Sequence, residues 1–195
     1  MTSPASAIAL RKPVLNTSSR PGFPTVLGLH HWAYRCRDSE ETRHFYEDIL
    51  GLPLAFVVYH DHVPSSGEYS PYFHIFFELF DGSHLAFFDL LDDKPYAQDP
   101  ETPSWVHHLA LEVDTRQALL DAKERLQSHS VEVVGPIDYS GLFDSIYFFD
   151  PNGMRLEFVF RVAPAEKWQA LGREAHARLA TRAEKVAQKA ARLAP

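Results

Sequence analysis

The chain has a single cysteine, Cys36, among its 195 residues. No disulfide can form within it, and such sparing use of thiols fits a reducing compartment. No apolar run approaches the ~18 residues needed to cross a membrane as a helix. Basic residues are the minority: 19 Lys and Arg stand against 26 Asp and Glu, for a net charge of -7. General binding to nucleic acid needs the opposite balance, because phosphates must be neutralised. Neither nucleic acid nor a membrane is therefore expected as a partner. Acidic residues are absent from the first 37 positions, which carry Arg11, Lys12, Arg20, Arg35 and Arg37. That composition is shared with organelle transit segments. However, Pro4, Pro13, Pro21 and Pro24 break any long amphipathic helix there. Residues 1–26 are read as a loose arm, and the protein as cytoplasmic.

Aromatic residues are plentiful, with 14 Phe and 8 Tyr, as suits a sheet protein enclosing an apolar cavity. From Leu29 the sequence runs through one unit twice. The first copy opens on the β-type run Leu29-His30-His31-Trp32-Ala33-Tyr34. Asp38 follows as a helix N-cap with Glu41 as its capping-box partner, and Phe45 and Ile49 recur at helical spacing before Gly51. Strands are expected over Leu54–Tyr59, Tyr72–Phe80 and Leu85–Leu90, with Asp81-Gly82 marking a hairpin. The second copy opens at Val106-His107-His108-Leu109-Ala110-Leu111. Asp114 and Thr115 cap a helix carrying Leu119, Ala122 and Leu126, and strands follow at Val131–Val134, Ser145–Phe149 and Met154–Val159. Each copy is β-α-β-β-β, and an internal repeat of this kind decides the fold. The expectation is an α+β domain over 27–162, with units 29–91 and 106–161 forming a cupped mixed sheet around a metal site. The remainder, 163–195, turns to Ala, Arg, Glu and Lys with an apolar stripe. It is read as a terminal helix docked on the sheet or on a partner subunit.

The repeat allows the chain to be compared with itself. His31 lies seven residues before Asp38, and His108 six before Asp114. Gly82 stands four residues before Ala86, and Gly153 four before Glu157. Equivalent points on the opening and closing strands thus hold two histidines, one carboxylate and one alanine. A glutamate in the apolar run Leu156-Glu157-Phe158-Val159 needs a cation beside it, because an unpaired buried carboxylate is costly. Two imidazoles and one carboxylate leave about three positions of an octahedral ion open, as in non-haem Fe(II) oxygenases. A divalent metal held by His31, His108 and Glu157 is expected, with Fe(II) first and Mn, Zn, Ni or Co as alternatives.

Over Leu29 to Phe160 these residues resemble the vicinal oxygen chelate superfamily, which includes glyoxalases, bleomycin resistance proteins and extradiol dioxygenases. The resemblance implies the same three metal ligands. It also implies that Ala86 stands where isomerase branches carry a fourth ligand. The segment Ile146-Tyr147-Phe148-Phe149-Asp150-Pro151-Asn152-Gly153-Met154-Arg155-Leu156-Glu157 is similar to the extradiol dioxygenase signature. It implies that Tyr147 donates a hydrogen bond to a metal-bound substrate oxygen. That signature places a histidine where Tyr139 stands, and a phenol with a pKa near ~10 shuttles protons poorly at neutral pH. His74 and Glu78, four apart on one strand and so on one face, are the candidates to take over acid–base duty. The implied reaction is Fe(II)-dependent ring cleavage of a catechol-like aromatic by O2. The alternatives are a glyoxalase-like lyase, isomerase or thiol transferase using the metal as a Lewis acid, and a metal-free protein that binds an aromatic ligand. A homodimer is expected.

Overall fold

The computed structural model describes residues 26–94 and 96–193, so the N-terminal arm expected at 1–26 lies almost wholly outside the described residues. The described residues divide into two compact units, Val26–Arg161 and 162–193. In the larger unit, strand β1 (His31–Cys36) leads to helix α1 (Ser39–Arg43), then to strands β2 (Leu54–His62), β3 (Tyr69–Glu78) and β4 (His84–Asp89). The second copy runs β5 (Leu109–Glu112), α2 (Arg116–Ser128), β6 (Val134–Asp138), β7 (Phe143–Phe149) and β8 (Arg155–Arg161). Each copy builds its own four-stranded mixed sheet, ordered β1-β4-β3-β2 and β5-β8-β7-β6, with the first pair parallel and the rest antiparallel. The β-α-β-β-β repeat and its α+β architecture are present as the sequence implied.

Local chemistry explains the starts and stops. Asp38 caps α1 by accepting from the Glu41 amide at 2.7 Å, while the Glu41 carboxylate turns to Arg37 and leaves the capping box half closed. The helix then widens over His44–Ile49 into a π-helical turn, marked by the Leu50 N–H donating to the Phe45 carbonyl at 3.0 Å. Thr115, rather than Asp114, caps α2, accepting from the Ala118 amide at 3.0 Å. At the first hairpin, the Asp81 carboxylate accepts from the Ser83 amide and hydroxyl.

Three expected boundaries are corrected. The strand expected at Val131–Val134 lies at Val134–Asp138, running through Gly135 and Pro136 with a register shift between Val134 and Ile137. Breaker residues hide a strand that accommodates them in a bulge. Strand β5 begins only at Leu109, because Pro103 to Val106 forms a turn closed by a 2.9 Å hydrogen bond, so His108 sits just ahead of its strand. The terminal segment is two helices, α3 (Ala165–Ala180) and α4 (Arg182–Leu193), separated at Thr181. The Thr181 hydroxyl donates back to the Arg178 carbonyl at 2.8 Å, competing with the helical ladder. No helix among the described residues is long and apolar enough to cross a membrane.

Alternation along the strands sorts each sheet into two faces. One face packs on helices: Cys36, Ile75, Phe77, Leu85 and Phe87 in the first copy, Ile146, Phe148, Leu156 and Phe158 in the second. These two helix-bearing faces, with Phe45, Tyr46 and Ile49 from the α1 region and Leu119 and Leu126 from α2, form a single core. Across it, the rings of Phe45 and Phe148 lie 6.4 Å apart, and the Tyr46 hydroxyl donates to Asp150 at 3.0 Å. Arg125 of α2 donates to the carbonyls of Asp48 and Ile49, both at 2.6 Å. The candidate site residues lie on the other, helix-free faces.

Candidate metal centre

In the second sheet, cross-strand register places Ala110, Glu157 and Tyr147 in one row. Glu157 is 4 % exposed, on the face opposite the core side chains Leu156, Phe158 and Ile146. Its two oxygens are differently engaged: Oε1 accepts from the Ser145 hydroxyl at 2.5 Å, and Oε2 lies 3.0 Å from His108 Nε2. The other ring nitrogen of His108, Nδ1, lies 3.1 Å from the Val106 carbonyl. A carbonyl only accepts, so Nδ1 carries a proton and Nε2 is the ring nitrogen that faces the carboxylate. Two electron-rich atoms at that separation need a proton or a metal ion between them. Adjacent donors about 2.1 Å from one octahedral ion are separated by about 3.0 Å, so the His108–Glu157 edge fits a divalent metal.

Tyr147 stands beside this edge. Its hydroxyl shares a 2.7 Å hydrogen bond with that of Tyr139, and the Arg155 guanidinium lies 4.1 Å from its ring centre. Burial first, then the Tyr139 hydrogen bond and the Glu157 charge, push the Tyr147 phenol well above its ordinary range. It is therefore a protonated donor at any physiological pH.

In the first sheet the equivalent rows are His31, His84 and Glu78, then Ala33, Ala86, Phe76 and Phe56. Register confirms that Ala86 matches Glu157 and Phe76 matches Tyr147. His31 and His74 approach each other above Ala86, with ring centres 6.1 Å apart, and Phe76 lies 5.7 Å from His31. His74 stacks on Phe88 at 3.7 Å, and its Nε2 is buried without a partner. Burial, then the neighbouring His31, lower its pKa to about 4, so it is a neutral imidazole. His84 Nδ1 is likewise buried and unpartnered. Glu78 lies exposed at the end of β3, opposite His84 and apart from the His31–His74 pair.

The structure thus brings together His108 with Glu157, Tyr147 with Tyr139, and His31 with His74. It does not bring His31 to the His108–Glu157 edge: among the described residues, no group of three or more His, Cys, Asp or Glu side chains is placed to hold a metal. Ser145 and Arg155 were missed from sequence. Ser145 was findable, because it occupies in the second copy the place of His74 in the first. Arg155 corresponds in the same way to His84.

Comparison with known proteins adds a family assignment. The sequence profile of the Glyoxalase/Bleomycin resistance protein/Dioxygenase superfamily matches residues 28–158. No curated protein sequence matches the chain. Among solved structures, a glyoxalase/dioxygenase from Nostoc punctiforme is 27 % identical, with TM-score 0.53, covering 75 % of this chain and 98 % of that one. The trypanothione-dependent glyoxalase I of Leishmania major is 20 % identical, with TM-score 0.56, covering 77 % of this chain and 98 % of its own, and shares the fold.

Proposed function

We propose that this chain, which belongs to the Glyoxalase/Bleomycin resistance protein/Dioxygenase superfamily, is a divalent-metal dioxygenase acting on a small catechol-like aromatic. The observation that carries the reading is Ala86. It is wholly buried at the point equivalent to Glu157, so of the four equivalent positions only three, His31, His108 and Glu157, carry a side chain able to ligate a metal. When bound, Fe(II) would chelate two neighbouring substrate oxygens and leave room for O2, which a fourth protein ligand would obstruct.

The remaining residues have definable tasks. Tyr147 donates its hydroxyl to a substrate oxygen, and Tyr139 fixes the direction of that donation through their 2.7 Å contact. Ser145 occupies one carboxylate oxygen of Glu157 and aims the other at His108. His74, neutral and with an unpartnered buried Nε2, is the side chain of this face able to accept a hydrogen bond from a substrate hydroxyl. Phe56, Phe76 and Phe88 surround the His31–His74 pair with apolar surface suited to an aromatic ring.

The displacement of the expected histidine by Tyr139 favours one second reading. This is an isomerase, lyase or thiol transferase in which Mn, Ni, Zn or Co acts as a Lewis acid without O2. The deciding test is O2 consumption by protein loaded anaerobically with Fe(II) and offered substituted catechols. Uptake that disappears in His108→Ala and Glu157→Ala is the expected result. Bound iron with no uptake across the panel rejects the dioxygenase reading in favour of the second.

A further inference from the structure

We infer that Arg155 is a positioning residue of the candidate centre: its guanidinium holds the Tyr147 ring and, at the same time, the turn that orients His108. This deepens the metal-centre reading above and rests on it.

Register makes Arg155 a neighbour of both groups. On β8 it lies two residues from Glu157 and on the same face, opposite Phe149 of β7, so Tyr147 is its diagonal neighbour. On the other side Leu156 pairs with Leu109 of β5, which leaves Arg155 and His108 side by side just ahead of that pair. The Arg155 Cζ lies 4.1 Å from the centre of the Tyr147 ring, within the range of a cation–π contact. Its Nη1 donates to the Trp105 carbonyl at 2.7 Å. An arginine can lie flat on a ring while its edge donates, and it never loses its charge.

The Trp105 carbonyl matters through the chain that follows it. The peptide unit it begins ends in the Val106 N–H, which donates to the Pro103 carbonyl at 2.9 Å. Both polar ends of that unit are therefore fixed. The next carbonyl, that of Val106, lies 3.1 Å from His108 Nδ1, which leaves Nε2 to face Glu157. Packing does little to hold this turn, since residues 103–108 are all exposed, Trp105 to 65 %. The tie from β8 supplies what burial does not. In the first copy His84 stands where Arg155 does and Phe76 where Tyr147 does, so neither the guanidinium nor the phenol is repeated there. The contact belongs to the copy that carries Glu157.

The test compares Arg155→Met, Arg155→Lys and Gln98→Ala with the wild type, each as the full chain titrated with Co(II). Gln98 is the control: its amide donates to the Gly153 carbonyl, tying the same linker to the β7–β8 turn away from Tyr147 and the 105–106 peptide. Arg155→Met should bind Co(II) about 10- to 100-fold more weakly, with an altered visible absorption band. Its Val106 amide should lose protection from hydrogen exchange, a readout that needs no metal. Arg155→Lys, which keeps a charge and a donor, should recover part of the affinity, and Gln98→Ala should match the wild type throughout. Arg155→Ala is read in the same way should Arg155→Met not fold. Unchanged affinity, band and exchange in Arg155→Met overturn the inference. An equal loss in Gln98→Ala overturns it too, because general tethering of the linker would then be the cause. A wild type that binds no Co(II) rejects the metal-centre reading itself, and the role of Arg155 in it, whatever the Val106 exchange shows.

Discussion

Single side chains set the chemistry, and several have consequences that can be measured alone. The Tyr147 hydroxyl is replaced by nothing in Tyr147→Phe, while His108, Glu157 and Ser145 keep their contacts. Metal content should persist while kcat falls by about 100- to 10,000-fold, the scale of one positioned proton donor. His74→Phe should cost a similar factor with metal retained, and a loss of metal instead would make His74 a ligand. Glu157→Ala removes the partner of both Ser145 and His108, so metal binding itself should go. Cys36 is 1 % exposed, and burial pushes its thiol up to about 12, against about 8.5 for a free cysteine. The native protein should therefore be almost inert to a thiol reagent at pH 8 and react within seconds once unfolded. The sign follows from linkage: with the folded value raised, this stabilisation is complete below the unfolded pKa and is lost as pH rises toward 12.

At the scale of elements, the strand β6 that sequence misplaced also holds a position that tolerates no side chain. Gly135 has φ +106°, and a Cβ there would stand 2.5 Å from the Ser145 carbonyl oxygen. Gly135→Ala meets both backbone strain and a clash with the strand that supports Glu157. A loss of about 2–4 kcal/mol, and with it roughly 5–10 °C in Tm, is expected in a thermal melt. The repeat itself was legible because paired glycine turns and histidine doublets mark equivalent points; the equivalence of Ala86 with Glu157 read from spacing is the equivalence found in register. What stayed hidden was decided by contacts distant in sequence. Pro136 and Gly135 look like breakers until the bulge opposite Ser145 is seen, and the wide turn over His44–Ile49 has no local signature. Alternation put the two members of each histidine doublet on opposite faces, and repeat spacing with the family register selected His31 and His108. Neither could tell which faces would meet, because that depends on Phe45 finding Phe148.

For the whole molecule, the shared core means that the two copies stand or fall together. Phe148 is 1 % exposed and touches the α1 region of the other copy. Phe148→Ala should cost about 3–5 kcal/mol. Far- and near-ultraviolet circular dichroism should still trace one coincident transition, since neither sheet keeps a complete core of its own. Separate transitions would show two independent folding units. The same arrangement bears on how such a chain evolves. The helical faces are spent on each other, so the two open faces share no side chain of the core. A change on one open face leaves the side chains of the other in place. Ala86 against Glu157, His74 against Ser145 and Phe76 against Tyr147 are three equivalent positions at which the two copies carry different side chains. Because alanine and glutamate codons can differ by a single base, one point mutation at position 86 would give both copies a carboxylate at the same row of the sheet without any change of fold.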